Sequence, residues 1–191
     1  MAPAEGAHPE EAASILRGGG VVLAPTETVV GLVAAEAGPL NEIKGSDPGK
    51  PLALLCGSAE EAFSLAAEVS PLARALAEAL WPGPLTLVLG RRGGGTVGVR
   101  VPAGAVTDVL RAYGGPLYAT SANPSGGPAP RSLGDVDPDV AAAADLVVPG
   151  GPGSGEASAV VDLSGREPKL LRATEALTSE KLRKLAGDRR G

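Results

Sequence analysis

The sequence predicts an α/β domain, on two observations. Short apolar runs that read as strands alternate with segments that read as amphipathic helices, the order expected of a sheet flanked by helices. Apolar residues make up 43% of the 191 residues but aromatics only 2%, so the core must be built from Ala, Val and Leu, which interdigitate without large rings. The length suits one domain spanning 1–191, with less ordered ends.

Each element follows from local signals. Residues 9–17 (PEEAASILR) put Ala12, Ile15 and Leu16 on one helical face behind a Pro and two acids, and Gly18, Gly19 and Gly20 stop the helix. VVLA at 21–24 reads as a strand buried on both faces, running into Pro25-Thr26-Glu27-Thr28. PLALLC at 51–56 is a second apolar run, followed by a helix over 58–67 with the Ser58/Glu61 capping-box spacing. A helix over 70–80 has Ser70 as N-cap and Pro71 at its first position. TLVLG at 86–90 and VGVRV at 97–101 form a hairpin across Gly93, Gly94 and Gly95. Residues 104–113 read as helix, 116–123 as a strand opening into a loop, 144–151 and 158–163 as strands, 169–172 as a last edge and 173–187 as a terminal helix.

Composition narrows the function. A net charge of −5 with scattered Lys and Arg argues against binding an extended nucleic-acid backbone, and two Tyr, one Trp and one Phe make a poor base-stacking platform. The single cysteine, Cys56, excludes an intramolecular disulfide and reads as a core thiol, and the Cys/His spacings of zinc sites are missing. His8 has no acid or ligand partner nearby, so it reads as solvent-exposed. With no membrane-length apolar run and no leader-like N-terminus, a cytoplasmic location is expected.

The polar signals share one placement: each lies where an apolar strand gives way to a Gly/Pro-rich loop, where open α/β sheets hold ligands. Thr26 and Thr28 follow the first strand, Arg100 ends the strand after the Gly turn, and Thr120, Ser121, Asn123 and Ser125 follow the strand near 117–119. Taken alone, PTET is a turn, and Asn123 has the bland reading of capping its own backbone. Trp81-Pro82-Gly83-Pro84 reads as a rigid turn packing Trp81, which stays outside the site. The Gly-rich stretch 150–155 lacks the Lys and Ser/Thr of a P-loop and reads as a lid.

Four segments, PTETVVGL (25–32), WPGPLTLVL (81–89), VGVRVP (97–102) and ATSANPSG (119–126), occur in the order of the YrdC-like family. The resemblance covers about residues 10–172, and SAVVDL and LLR are similar to that family's closing strands. It implies a twisted mixed sheet with flanking helices and a large polar cleft. It also implies a synthase joining L-threonine, bicarbonate and ATP, with Mg²⁺ carried by ATP, into threonylcarbamoyl-AMP for a partner complex that modifies a tRNA adenosine. On the matching positions, Lys44, Ser121 and Asn123 would be catalytic, while Thr26, Thr28, Arg100, Thr120, Ser125, Ser158 and Arg172 would bind substrate or nucleotide. No residue of the chain is expected to ligate metal directly.

The match departs from the family pattern at IKGSDPGKPL (43–52), where Ser46 replaces an arginine, and the segment from Gly31 to Lys44 is short. Val30 stands for an aromatic residue and Ala159 for a threonine. Lys50 and Arg131 are candidate replacements for the missing cation, although a lysine cannot copy a bidentate guanidinium. Two other readings therefore stand beside the synthase: a weakened paralogue that binds a nucleotide or RNA fragment, and a relative that performs carbamoyl transfer.

Overall fold

The computed structural model describes residues 8–46 and 51–187. Nine strands form one mixed sheet flanked by helices. In chain order they are β1 (Val21–Pro25), β2 (Val30–Ala34), β3 (Ala53–Leu55), β4 (Leu85–Gly90), β5 (Thr96–Arg100), β6 (Leu117–Ser121), β7 (Leu146–Val147), β8 (Ala159–Asp162) and β9 (Lys169–Arg172). Their order across the sheet is β7-β1-β2-β6-β3-β5-β4-β8-β9. The pairs β1–β7, β3–β5 and β4–β8 are parallel and the others antiparallel.

The helices are α1 (Pro9–Arg17), α2 (Ala37–Lys44), α3 (Ala59–Ser64), α4 (Pro71–Leu80), α5 (Val106–Tyr113), α6 (Pro138–Ala142) and α7 (Ser179–Gly187). Their caps are those that the sequence signals imply. Ser70 accepts from Ala73 N at 3.2 Å and Pro71 sits in the first turn of α4. Ser58 accepts from Glu61 N at 3.1 Å, while the Glu61 carboxylate reaches one residue further back, to Gly57 N at 2.6 Å.

Several expected elements contract. The 51–56 run pairs only over β3, the 144–151 run only over β7, and the tail becomes helical only at Ser179. Apolar residues beyond those limits pack as loop: Val148 belongs to the core although it lies outside β7. β2 and α6 are among the elements that the local signals do not announce. β2 follows PTET within a continuous apolar run that lacks alternation, because all five of its residues are buried. α6 is short, with Asp137 Oδ1 accepting from Asp139 N at 2.9 Å ahead of Pro138.

Three apolar clusters cover the sheet. Val22 and Ala24 of β1 pack with α1 and α5, while Val21 and Leu23 on the opposite face pack with Leu40 of α2 and Val140 of α6. That two-sided burial explains why VVLA is unbroken. The third cluster takes Leu85, Leu87 and Leu89 of β4 and Val97 and Val99 of β5 against α3, α4 and α7. The intervening Thr86, Val88, Thr96, Gly98 and Arg100 point the other way, into a cleft. The cleft therefore lies along an open face of the sheet, with the loops at its rim.

Candidate functional site

The cleft has a volume of about 810 Å³. Four cations line it, Lys44, Arg91, Arg100 and Arg172, and no carboxylate does among the described residues. In a chain of net charge −5 this is a local reversal of sign.

One wall is the turn between β1 and β2. The Thr26 hydroxyl donates to Val29 O at 2.7 Å and accepts from Thr28 N and Val29 N at 3.1 and 3.2 Å. Its one proton being spent, the 2.8 Å contact with Thr28 must be a bond donated by Thr28 Oγ1. Thr28 Oγ1 in turn accepts from Arg100 Nη2 at 3.0 Å. The relay runs Arg100 to Thr28 to Thr26 to Val29, so neither threonine hydroxyl has a proton left for a ligand.

Arg100 is 7% exposed. Its Nε donates to Gly83 O at 3.1 Å, which gives the Trp81–Pro84 turn its part in the site. Its Nη2 also donates to Glu27 Oε1 at 2.6 Å. β2 and β5 are separated in the sheet by β6 and β3, about 14 Å at ordinary strand spacing. The Thr28 loop and the guanidinium therefore lean toward each other over the floor and close one end of the cleft.

The opposite wall holds Arg172, whose Nε donates to Ser158 O at 2.6 Å. Ser158 Oγ lies 2.9 Å from Thr86 Oγ1. Burial pushes the Arg172 guanidinium below its ordinary range, and the positive charge of Arg100 adds to that. Arg172 has no acidic partner among the described residues. Two guanidiniums near enough to repel each other, only one of them ion-paired, are suited to an anion.

At the third wall, Lys44 Nζ donates to Ser121 O at 2.8 Å and to Asn123 O at 2.7 Å, and lies 3.4 Å from Asn123 Oδ1. Asn123 Nδ2 donates to Pro124 O and Gly127 O at 2.9 and 2.7 Å. Lysine and asparagine thus build the 121–127 loop as well as lining the cleft. The hydroxyls of Thr120, Ser121 and Ser125 bond to no protein group among the described residues, so they remain open to a ligand.

All ten residues singled out from the sequence line this one cleft. Of the two replacement cations, Arg131 does not line it, its Nε being tied to Gly153 O at 2.9 Å, and Lys50 lies outside the described residues. Ser46 donates to Asn41 Oδ1 at 3.1 Å and is not part of the wall. Val30 and Ala159 are fully buried in two of the apolar clusters, so those departures fall on core positions. The 150–155 stretch is a buttress instead of a lid: Ser154 N donates to Glu27 O and Gly155 N to Thr28 O, at 2.9 and 2.8 Å. Glu27, Thr86 and Arg91 were missed, and only the alternation along β4 could have pointed to Thr86.

The Sua5/YciO/YrdC family model, described as "Telomere recombination", matches residues 14–174. This chain belongs to the Sua5/YciO/YrdC family. The threonylcarbamoyl-AMP synthase of Pyrococcus abyssi is 36% identical over 193 residues, which is 93% of this chain and 56% of that protein. The threonylcarbamoyl-AMP synthase of Halorhodospira halophila is 38% identical over 157 residues, 73% of this chain and 81% of that protein. The crystal structure of P. abyssi Sua5 complexed with L-threonine superposes with a TM-score of 0.84 at 35% identity, covering 94% of this chain and 57% of the other. This family member thus spans little more than half the length of its P. abyssi relative. No helix among the described residues is long and apolar enough to cross a membrane.

Proposed function

We propose that the cleft makes threonylcarbamoyl-AMP from L-threonine, bicarbonate and ATP, the activity named for its relatives. The observation that carries this reading is a wall that, among the described residues, has four cations and no carboxylate. The threonine amine attacks bicarbonate, water leaves, and an N-carboxylate forms. One oxygen of that carbamate attacks the α-phosphorus of ATP, the bond to the β-phosphate breaks, and pyrophosphate departs. Both partners are anions, and at 4 Å their repulsion is about 4 kcal/mol per charge pair at an effective dielectric of 20. Fixed cations offset that repulsion and also hold the two reactants in line.

The parts divide accordingly. Arg100 and Arg172 face an anion from two walls, and the free hydroxyls of Thr120, Ser121 and Ser125 donate from the third. Lys44 and Asn123 keep the loop that carries those hydroxyls in shape. Thr26 and Thr28, with no proton to give, orient Arg100, and Ser158 with Thr86 steadies Arg172. The volume of about 810 Å³ is in the range of small-molecule sites.

Among the described residues the wall offers Mg²⁺ no carboxylate and there is no cluster of three His, Cys, Asp or Glu. The donor set does not make a protein Mg²⁺ site, so Mg²⁺ would arrive on the triphosphate, with waters as its other ligands. The product is an activated acyl group whose consumer is a tRNA-modifying complex. Incubation with ATP, Mg²⁺, L-threonine and labelled bicarbonate should place label in a nucleotide of the mass of threonylcarbamoyl-AMP. A folded protein that yields no such product above the enzyme-free control would favour the binding-module reading.

A further inference from the structure

Glu27 sits between the two threonines of the turn but outside the cleft wall. Its Oε1 accepts from Arg100 Nη2 at 2.6 Å and its Oε2 accepts from Ala103 N at 3.0 Å. It therefore ties the guanidinium to the main chain just beyond β5. Arg100 has five N–H donors. Nε goes to Gly83 O, and the two hydrogens of Nη2 go to Glu27 and Thr28. Nη1 bonds to no protein group among the described residues, yet it is not sealed from solvent. Arg100 lines the cleft, and Nη1 is the guanidinium nitrogen left for a ligand there.

We infer that Glu27 is a positioning residue: it selects which edge of Arg100 faces the substrates, leaving Nη1 as the anion-binding edge. Without Glu27 the Nη2 edge keeps only a neutral hydroxyl acceptor, and the guanidinium is held by Gly83 O and Thr28 alone. The carboxylate also halves the net charge that Arg100 and Arg172 present together, so that the anion is held by direction as much as by attraction. This inference rests on the synthase reading of the cleft.

A double-mutant cycle on the full chain tests it, with kcat/KM and melting temperature measured for each variant. Glu27→Ala should lower kcat/KM on the order of 10²-fold at a temperature where it stays folded, as loss of a preorganised donor does. In an Arg100→Ala background the same change should alter kcat/KM by less than about threefold, because the residue through which it acts is gone. Glu27→Gln keeps an acceptor for Arg100 but not the charge, and should fall between; if Glu27→Ala does not fold, it takes the same test. Losses that multiply in the double variant would overturn the inference. So would a Glu27→Ala enzyme that melts earlier but turns over within threefold of the parent, which is what a purely structural ion pair predicts. If the parent protein makes no adenylate, the synthase reading fails by itself, and the cycle is read on the ATP-induced rise in melting temperature. Glu27→Ala should then abolish that rise only where Arg100 is present.

Discussion

Gly153→Ala is the sharpest test of how the cleft is braced. Gly153 lies beneath the turn that carries Thr26, Glu27 and Thr28, and a Cβ there would overlap the Thr28 carbonyl and lie 2.9 Å from Thr26 O. The obstacle is backbone, which cannot swing aside as a flexible side chain can. Its own backbone conformation is open to alanine, so the effect would be steric and not torsional. Overpacking of this kind costs about 1–3 kcal/mol. The turn could move only by breaking the bonds from Ser154 N to Glu27 O and from Gly155 N to Thr28 O, worth about 1 kcal/mol each. A total near 3 kcal/mol lowers the melting temperature by about 6–12 °C in a chain of this size. Gly151 is the control, since a Cβ there meets nothing within 4 Å and its φ is ordinary. Gly151→Ala should leave the melting temperature unchanged or raise it slightly, through the unfolded chain. Equal melting temperatures for the two variants would refute the buttress, and with it the account of how Arg100 is aimed.

Three further outcomes follow from the geometry. Lys44→Met strands Asn123 O, while Ser121 O keeps its bond from Asn123 N, and should cost about 1–3 kcal/mol in urea unfolding while removing the ATP-induced stabilisation. Arg91→Gln removes the one lining cation whose side chain makes no hydrogen bond among the described residues, so ATP affinity should fall by roughly threefold to tenfold at low salt. That difference should shrink in 0.5 M salt in a titration; a salt-independent loss would count against a purely electrostatic role. Burial, with a smaller contribution from Glu61, pushes the Cys56 thiol from 9.0 to about 12. The unfolded thiol thus loses its proton first, so this group's contribution to stability is present below pH 9 and is lost as pH rises toward 12. Cys56→Ala should flatten that part of the alkaline stability curve; an identical slope would show that other groups set it.

Much of the fold was legible because its signals are local. α4 announces itself through Ser70-Pro71, and the β4–β5 hairpin through three consecutive glycines with positive φ between alternating runs. β2 was hidden because a strand buried on both faces has no period to read, and nothing in VVGLVA marks where the turn ends. The short extents of β3 and β7 depend on which neighbours they meet, which is information the chain's local pattern does not carry.

The site divides in the same way. Hydroxyls, amide and cations at the candidate positions were readable, and they do share one cleft. Their division of labour was not. That Thr26 has no donor to spare, and that Asn123 spends its amide on Pro124 O and Gly127 O, depends on turn geometry. That Arg131 is tied to Gly153, while Arg91 lines the cleft, depends on how distant loops cross. Glu27 was overlooked because it acts through Arg100, 73 residues away in sequence.

Pyrophosphate release from ATP tests the central claim most directly, with bicarbonate and L-threonine supplied singly and together. A cleft that joins two anions at the α-phosphorus predicts pyrophosphate only when all three substrates are present. No pyrophosphate with all three, from protein that ATP still stabilises against melting, would contradict synthesis and leave a binding module. Orthophosphate in its place would put the attack at the wrong phosphorus.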